Sequence, residues 1–359
     1  MSTESIDINI WKDLLPNFDI IDGFLKDLLP NGRKIGSMDL VEDVLKGNWV
    51  LEPSLFWDYI KETLVDFLGS WKSLFVCIIA LFILSAIVSS FLLAFKNDGA
   101  ARAARLFFVL CQIVVLINAF KDVLEIATET MVKMIEFLKV IIPAYMICIA
   151  ATGSGLTALI FYKLLVGFLC LIEGIVVAAL APVVEGYVLL GIIETIWGEE
   201  RFKGLMELIK KCVQWGLKTM IVLLSGSGIL QIIITPVLDK ANVSVIQKTA
   251  GAIPGIGDIA ESVSSITLAS AIALKNSMGV MILLVIILII TAPVIRIAII
   301  LGTIKLGGAI GGICGEKQMI NCVDYISEAG ILLLRMLITV TTLFFITIAA
   351  VTSVTGGGL

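Results

Sequence analysis

Between Ser73 and Phe95 the chain runs for 23 residues without one charged side chain. At 1.5 Å per residue that run makes a helix about 35 Å long, enough to cross a hydrocarbon layer about 30 Å thick. Further runs follow. Arg105 and Lys121 bracket 15 uncharged residues, and Val140–Tyr162 is uncharged but interrupted by Pro143 and by Thr152-Gly-Ser-Gly155. Leu164–Val184 is broken only by Glu173, while Thr219–Leu238, Asn276–Ile295 and Met336–Leu359 carry no charge. The whole chain agrees, at 59% hydrophobic and 16% charged residues with a mean hydropathy of +1.06. Soluble domains are about 45–50% apolar and about 25% charged. The sequence therefore predicts an all-α polytopic integral membrane protein with six to eight transmembrane helices, some broken or re-entrant. It excludes a soluble domain and intrinsic disorder.

Histidine is absent. That removes Ser-His-Asp and Cys-His catalysis together with His-ligated zinc and haem. The seven cysteines are scattered without CxxC spacing, so they read as reduced, buried small hydrophobes. A net charge of −4 with no basic run gives no support for nucleic-acid binding. Two glycine-rich stretches, Gly251–Gly257 and Gly307–Gly315, lack the Lys-Ser/Thr ending of a phosphate loop and follow no predicted strand. Close helix packing, or a broken helix open to a cavity, suits them better. No catalytic, cofactor-binding or metal-ligating residues are expected.

Residues 1–72 differ from the rest, with 13 acidic and 7 basic side chains. Short amphipathic helices ended by proline fit this region. The string Lys12-Asp-Leu-Leu-Pro-Asn17 recurs as Lys26-Asp-Leu-Leu-Pro-Asn31, either as two docking motifs or as two similar helix ends. The linkers 96–105, 198–218 and 296–335 are rich in Lys and Arg and read as cytoplasmic. The acidic region 1–72, the segments 121–139 and 239–275, and the C-terminus then face outside. Residues 1–72 hold no apolar stretch that could act as a signal peptide, so either a signal is cleaved ahead of them, as this orientation expects, or the N-terminus is cytoplasmic and the topology is inverted.

Two amphipathic helices are expected between spans. In 121–139 the charges Asp122, Glu125, Glu129, Lys133 and Glu136 recur every three or four residues and share one stripe. The stripe either lines an aqueous vestibule and docks partners, or marks a helix lying at the interface. In 199–213 the residues Phe202, Leu205, Ile209 and Val213 form an apolar stripe suited to the cytoplasmic surface.

A weak internal repeat divides the membrane part after a first block of 73–136. Ile142-Pro143 matches Ile253-Pro254, and Ala181-Pro182-Val-Val184 matches Ala292-Pro293-Val-Ile295. Units of 137–235 and 248–350 would start and end on the same side, as in a parallel repeat. Pro143, Pro182, Pro254, Pro293, Gly255 and Gly257 are the expected helix breaks or hinges. Glu185 then corresponds to Arg296 and Glu194 to Lys305. These are candidate inter-repeat ion pairs, with snorkelling to the interface as the alternative.

Glu173 is the one acid deep in a predicted span. It serves a proton or cation path, or pairs structurally with Lys163, Lys218 or Arg335. Lys163, Gln112 and Asn118 complete the candidate polar set, the last two suiting helix–helix hydrogen bonds.

The run Trp215-Gly-Leu-Lys218, then Lys248-Thr-Ala-Gly-Ala-Ile-Pro-Gly-Ile-Gly-Asp258, then Ala292-Pro-Val-Ile-Arg296 resembles the hallmark stretch of the stage III sporulation protein AE family. Lys12-Asp-Leu-Leu-Pro-Asn-Phe-Asp19 resembles the start of that family after its signal peptide. The resemblance implies a role in endospore formation in a Gram-positive bacterium. It implies a multi-span component of the secretion-like channel complex joining mother cell and forespore, sited in the mother-cell membrane around the forespore. Residues 1–72 would lie in the intermembrane space. The implied partners are ring-forming subunits, a secretion-type ATPase, the lipid bilayer and further copies of the chain. Two other readings stay open: a self-contained secondary transporter with Glu173 as coupling acid, and a scaffold with no pore.

Overall fold

The computed structural model describes residues 22–23, 36–45, 53–94, 98–152, 155–197, 201–223, 257–314 and 317–354. Among these residues there is helix and no strand. The chain is an all-α polytopic membrane protein, as the uncharged runs predict. A short helix α1 (Ser37–Leu45) precedes two long ones, α2 (Pro53–Ala94) and α3 (Asp98–Ala151). Helix α4 (Gly155–Leu171) passes through a π-helical segment (Ile172–Leu180) into α5 (Ala181–Trp197). Helix α6 covers residues 203–223. Helix α7 (Gly257–Gly311), a 3₁₀ turn (Gly312–Cys314) and α8 (Lys317–Val354) close the order.

Five described segments are long and apolar enough to cross a membrane: Trp71–Ala94, Asp98–Ala151, Leu165–Trp197, Ala271–Gly311 and Lys317–Ala349. A sixth expected span, Thr219–Leu238, is helical to Leu223 and continues outside the described residues. The repeated six-residue strings, Pro254 and Gly255 also lie outside them.

The largest difference from expectation is length. Residues 106–120, 121–139 and 140–151 were expected as a span, an amphipathic helix between spans and part of a broken span. They form one helix of 54 residues, about 81 Å long. The charge stripe is the reason. Charges spaced every three or four residues leave the other faces apolar, and Val123, Met131, Met134, Ile135 and Leu138 are buried. Packing on that side holds the helix through its charged middle. It also carries the helix past Pro143, whose missing N–H leaves the Lys139 carbonyl without its usual donor. The helix ends at Ala151. The boundary expected at residues 136/137 thus lies inside α3, and the second unit's beginning lies outside the described residues.

Two constant offsets organise the bundle. Helix α2 runs beside α7 with 229 residues between partners. The Tyr59 hydroxyl donates to the Leu288 carbonyl at 3.4 Å, Arg296 sits 5.7 Å over the Phe67 ring, Ile78 meets Gly307, and Phe82 meets Gly311. Helix α3 runs beside α8 with 207 residues between partners. Gln112 Nε2 donates to the Met319 carbonyl at 3.4 Å, Thr341 donates to Met134 Sδ at 3.8 Å, and the Tyr145 and Thr352 hydroxyls lie 2.7 Å apart. Constant offsets mean parallel helices in a fixed register. The hairpin α2–α3 therefore lies alongside the hairpin α7–α8, pointing the same way.

The second glycine-rich stretch builds these contacts. Gly307 and Gly311 lie against Ile78 and Phe82 of α2, and Gly308 against Val323 of α8. A side chain there would meet its neighbour, so the glycines let three helices approach closely. Helix α5 is antiparallel to α8, with Gly191 against Tyr325, and α6 folds back on the preceding segment, with Gly216 against Leu180.

Candidate functional site

With α8 as a ruler, the registers give each helix a depth. The uncharged runs of α7 (276–295) and α8 (336 to the helix end) coincide, because Gly279 meets Thr352 and Leu301 meets Gly330. The α4 and π-helical run (164–184) lies at the same level, with Phe168 edge-on to Phe344 at 5.7 Å. These three form an outer apolar belt. At its inner border Lys72, Lys121, Glu185, Lys218, Arg296 and Arg335, all exposed, fall within about two helical turns of one depth. The uncharged runs of α2 (73–95) and α3 (106–120) lie on the far side of this charged girdle, as an inner apolar belt. The belt centres are about 40 Å apart along the helices.

The outer belt is two-faced. Apart from Lys163 and Glu173, the exposed large side chains on α4, the π segment, α7 and α8 at this depth are apolar, among them Val166, Ile175, Val280, Ile338 and Ile346. Helices α2 and α3 instead expose Lys61, Glu62, Glu129, Lys133, Glu136 and Lys139 there. Lys133 lies 3.7 Å from Glu129, and Lys139 lies 3.0 Å from Glu173. The 207-residue offset puts Lys139 level with Ile346, midway along the uncharged part of α8. Both side chains of that pair remain half exposed, at 50% and 55%.

Glu173 thus has a partner, but it is Lys139 rather than Lys163, Lys218 or Arg335. Lys139 was legible, since it extends the stripe three residues beyond Glu136. Asp122 and Glu125 continue the stripe into the girdle, both exposed. Lys163 is exposed on α4. Gln112 is fully buried and bridges α3 to α8. Asn118 and Asp122 line a cleft of about 320 Å³ between α2 and α3, with Phe67 and Trp71.

The structure does not bring the expected inter-repeat charges together. Arg296 covers the Phe67 ring, and Glu185 is exposed on α5. Glu194 is buried and accepts from the Phe202 N–H at 2.9 Å and the Tyr325 hydroxyl at 3.4 Å. Lys305 lies within electrostatic reach of Asp324 and Glu328. Pro143 and Pro293 lie inside continuous helices, Pro182 follows the π segment, and Gly257 opens α7.

Two polar clusters had no sequence signal. Glu328 accepts from the Tyr187 hydroxyl at 2.8 Å and from Lys210 Nζ at 2.9 Å, tying α8 to α5 and α6. Lys275 is fully buried and donates to the Thr352 carbonyl at 2.8 Å, near the end of α8. There it meets the negative end of the helix dipole and an orphan carbonyl.

The sequence profile for Stage III sporulation protein AE (spore_III_AE) matches residues 36–355. A relative from Bacillus subtilis (strain 168), "Stage III sporulation protein AE", is 22% identical over 354 residues, covering 97% of this chain and 84% of the relative. No solved structure matches. The profile match begins before α1 and ends beyond α8, so it takes in the girdle, both apolar belts and the charged face of α3; the chain belongs to the stage III sporulation protein AE family.

Proposed function

We propose that this chain is a conduit-forming subunit of the sporulation channel complex in the mother-cell membrane around the forespore. In this reading the charged sector of α2 and α3 lines a water-filled path between copies of the chain. The observation that carries it is the half-exposed Lys139–Glu173 pair at mid-depth of the outer belt. The outer belt is the better match to a bilayer. Three separate runs of it are long enough to span and nearly free of charge, and the girdle bounds it on the cytoplasmic side. At the inner depth the same helices carry Glu194, Lys305, Asp324 and Glu328. A charge at mid-bilayer costs about 2.5–3.5 kcal/mol on insertion scales, so side chains like these face water or protein rather than lipid. The apolar faces of α4, α7 and α8 then meet lipid, and the polar sector meets the lumen.

Ring-forming subunits and a secretion-type ATPase are the partners this role requires, with the residues ahead of α2 docking in the intermembrane space. The test is thiol labelling in membranes of sporulating cells, on a cysteine-free background. Glu136→Cys should react with a water-soluble, membrane-impermeant reagent added to opened membranes, whereas Ile338→Cys should not. Protection of Glu136→Cys together with labelling from lipid would refute the conduit. A transporter for a small solute is the second reading, favoured by the π-helical segment that carries Glu173, since such segments recur at functional sites. Solute flux by the purified chain alone in liposomes would support it over a conduit that needs its partners.

A further inference from the structure

Where α3 begins, positive charge gathers against the start of α8. The bond from Gln112 to the Met319 carbonyl sets Lys317 level with Leu110, so Arg105 and Arg102 follow about one to two helical turns further along α3. Arg102, Arg105 and Lys317 line one cleft of about 570 Å³, whose other walls are Ala103, Leu106 and Gln318. No carboxylate lines it among the described residues. Arg102 Nε donates to the Asp98 carbonyl at 3.4 Å, which leaves its two terminal nitrogens for another acceptor. The side chains of Arg105 and Lys317 have no ion-pair partner among the described residues. Arg105 is also half-buried, so salt screens its charge less than that of an exposed side chain.

This cluster is unlike the other cations of the bundle. Lys133, Lys139, Lys210 and Lys211 each lie 4.0 Å or less from a glutamate. Arg102 and Arg105 are three residues apart on one helix, where like charges repel. Helix α8 opens on Lys317 with no acid in its first turn, although the helix dipole favours negative charge there. Glu316, the nearest acid in sequence, lies outside the described residues.

We propose that this cleft binds a phosphorylated molecule carrying two or more negative charges. Arginine presents paired donors that match phosphate oxygens, and a group of three cations suits a multiply charged phosphate better than a single carboxylate. The volume is that of a small-ligand site and far exceeds one phosphate ion, and Ala103 and Leu106 give the rest of the molecule an apolar wall. The phosphate belongs either to a phospholipid headgroup, with its chains along the exposed Phe107 and Leu110, or to a soluble phosphate ester. The site does not rest on the conduit reading, and the two sources bear on that reading differently.

The test uses the full chain in nanodiscs. One arm measures equilibrium binding of radiolabelled inorganic pyrophosphate in phosphatidylcholine discs. The other counts cardiolipin retained by the chain from mixed phosphatidylcholine–cardiolipin discs, by native mass spectrometry. At least one ligand should bind, and Arg105→Gln and the exposed Lys317→Gln should each weaken it about tenfold or more, while Lys211→Gln on α6 should not. Pyrophosphate binding with this pattern assigns a soluble ligand and leaves the conduit standing. Cardiolipin binding alone puts the start of α3 at headgroup depth, so the site stands and the conduit's depth assignment falls. Binding of neither ligand would overturn the site, as would equal losses in all three variants, which show diffuse charge. Binding that appears only in Glu316→Gln would make Glu316 the counter-charge and overturn it too. Displacement of either ligand by polyglutamate at equal charge concentration would reassign the cleft to an acidic protein.

Discussion

Replacing Glu173 by Gln removes the charged acceptor 3.0 Å from Lys139 Nζ and leaves that ammonium without its partner. What this costs depends on what the pair faces. Against water, exposed pairs couple by about 0.2–1 kcal/mol, and half-exposed side chains belong in that range. Against hydrocarbon, the orphaned lysine at mid-depth costs about 2.5–3.5 kcal/mol. The two environments therefore differ by roughly 2 kcal/mol or more in one substitution. The assay is a double-mutant cycle of Glu173→Gln and Lys139→Met, read by thermal unfolding of the assembled protein in nanodiscs of native lipid. The lumen reading expects each single change below about 1 kcal/mol and a coupling of the same size. A loss near 3 kcal/mol for Glu173→Gln, recovered by adding Lys139→Met, would place the pair in lipid and refute the argument.

Three further outcomes test the packing. Gln112→Leu should change stability by less than about 1 kcal/mol, because the amide gives up one 3.4 Å bond while removing a buried carbonyl oxygen that has no partner; thermal unfolding would show it, and a loss above about 2 kcal/mol would mean that oxygen has an essential partner. Gly308→Val and Gly311→Val should each cost about 1–3 kcal/mol by forcing α7 from Val323 or Phe82, whereas Gly302→Ala, with open space around it, should be neutral or slightly stabilising in the same assay. Lys210→Ala should release α6 from Glu328, so amide exchange should quicken across 203–223 while α7 and α8 stay unchanged; uniform exchange changes would contradict that local role.

The charge-free runs explain why the helical class and most spans could be read in advance. Between Ser73 and Leu359 the alternation of uncharged runs with basic linkers leaves few other ways to satisfy the backbone in lipid. The stripe from Asp122 to Glu136 was legible too, because a three- or four-residue spacing puts charges on one face whatever surrounds the helix. Its environment was not. Periodicity says that a face is polar and does not say whether water, lipid or another helix lies beyond it. The girdle illustrates the same limit, since Lys72, Lys121, Arg296 and Arg335 look like unrelated ends of separate runs until the registers align them.

The sequence by itself determined that this chain is helical, spans a membrane several times and carries one charged stripe, because run length and charge spacing act through local geometry. Tertiary structure alone decided the two registers, 207 residues between α3 and α8 and 229 between α2 and α7. It therefore also decided that Lys139 meets Glu173, that Glu328 holds Tyr187 and Lys210, and that the two apolar belts lie at different depths. The physical reason is that sliding one apolar helix along another changes little buried area. The position is fixed instead by a few sites where a glycine admits a neighbour's side chain or a polar group finds its partner, and those pairings join residues hundreds of positions apart.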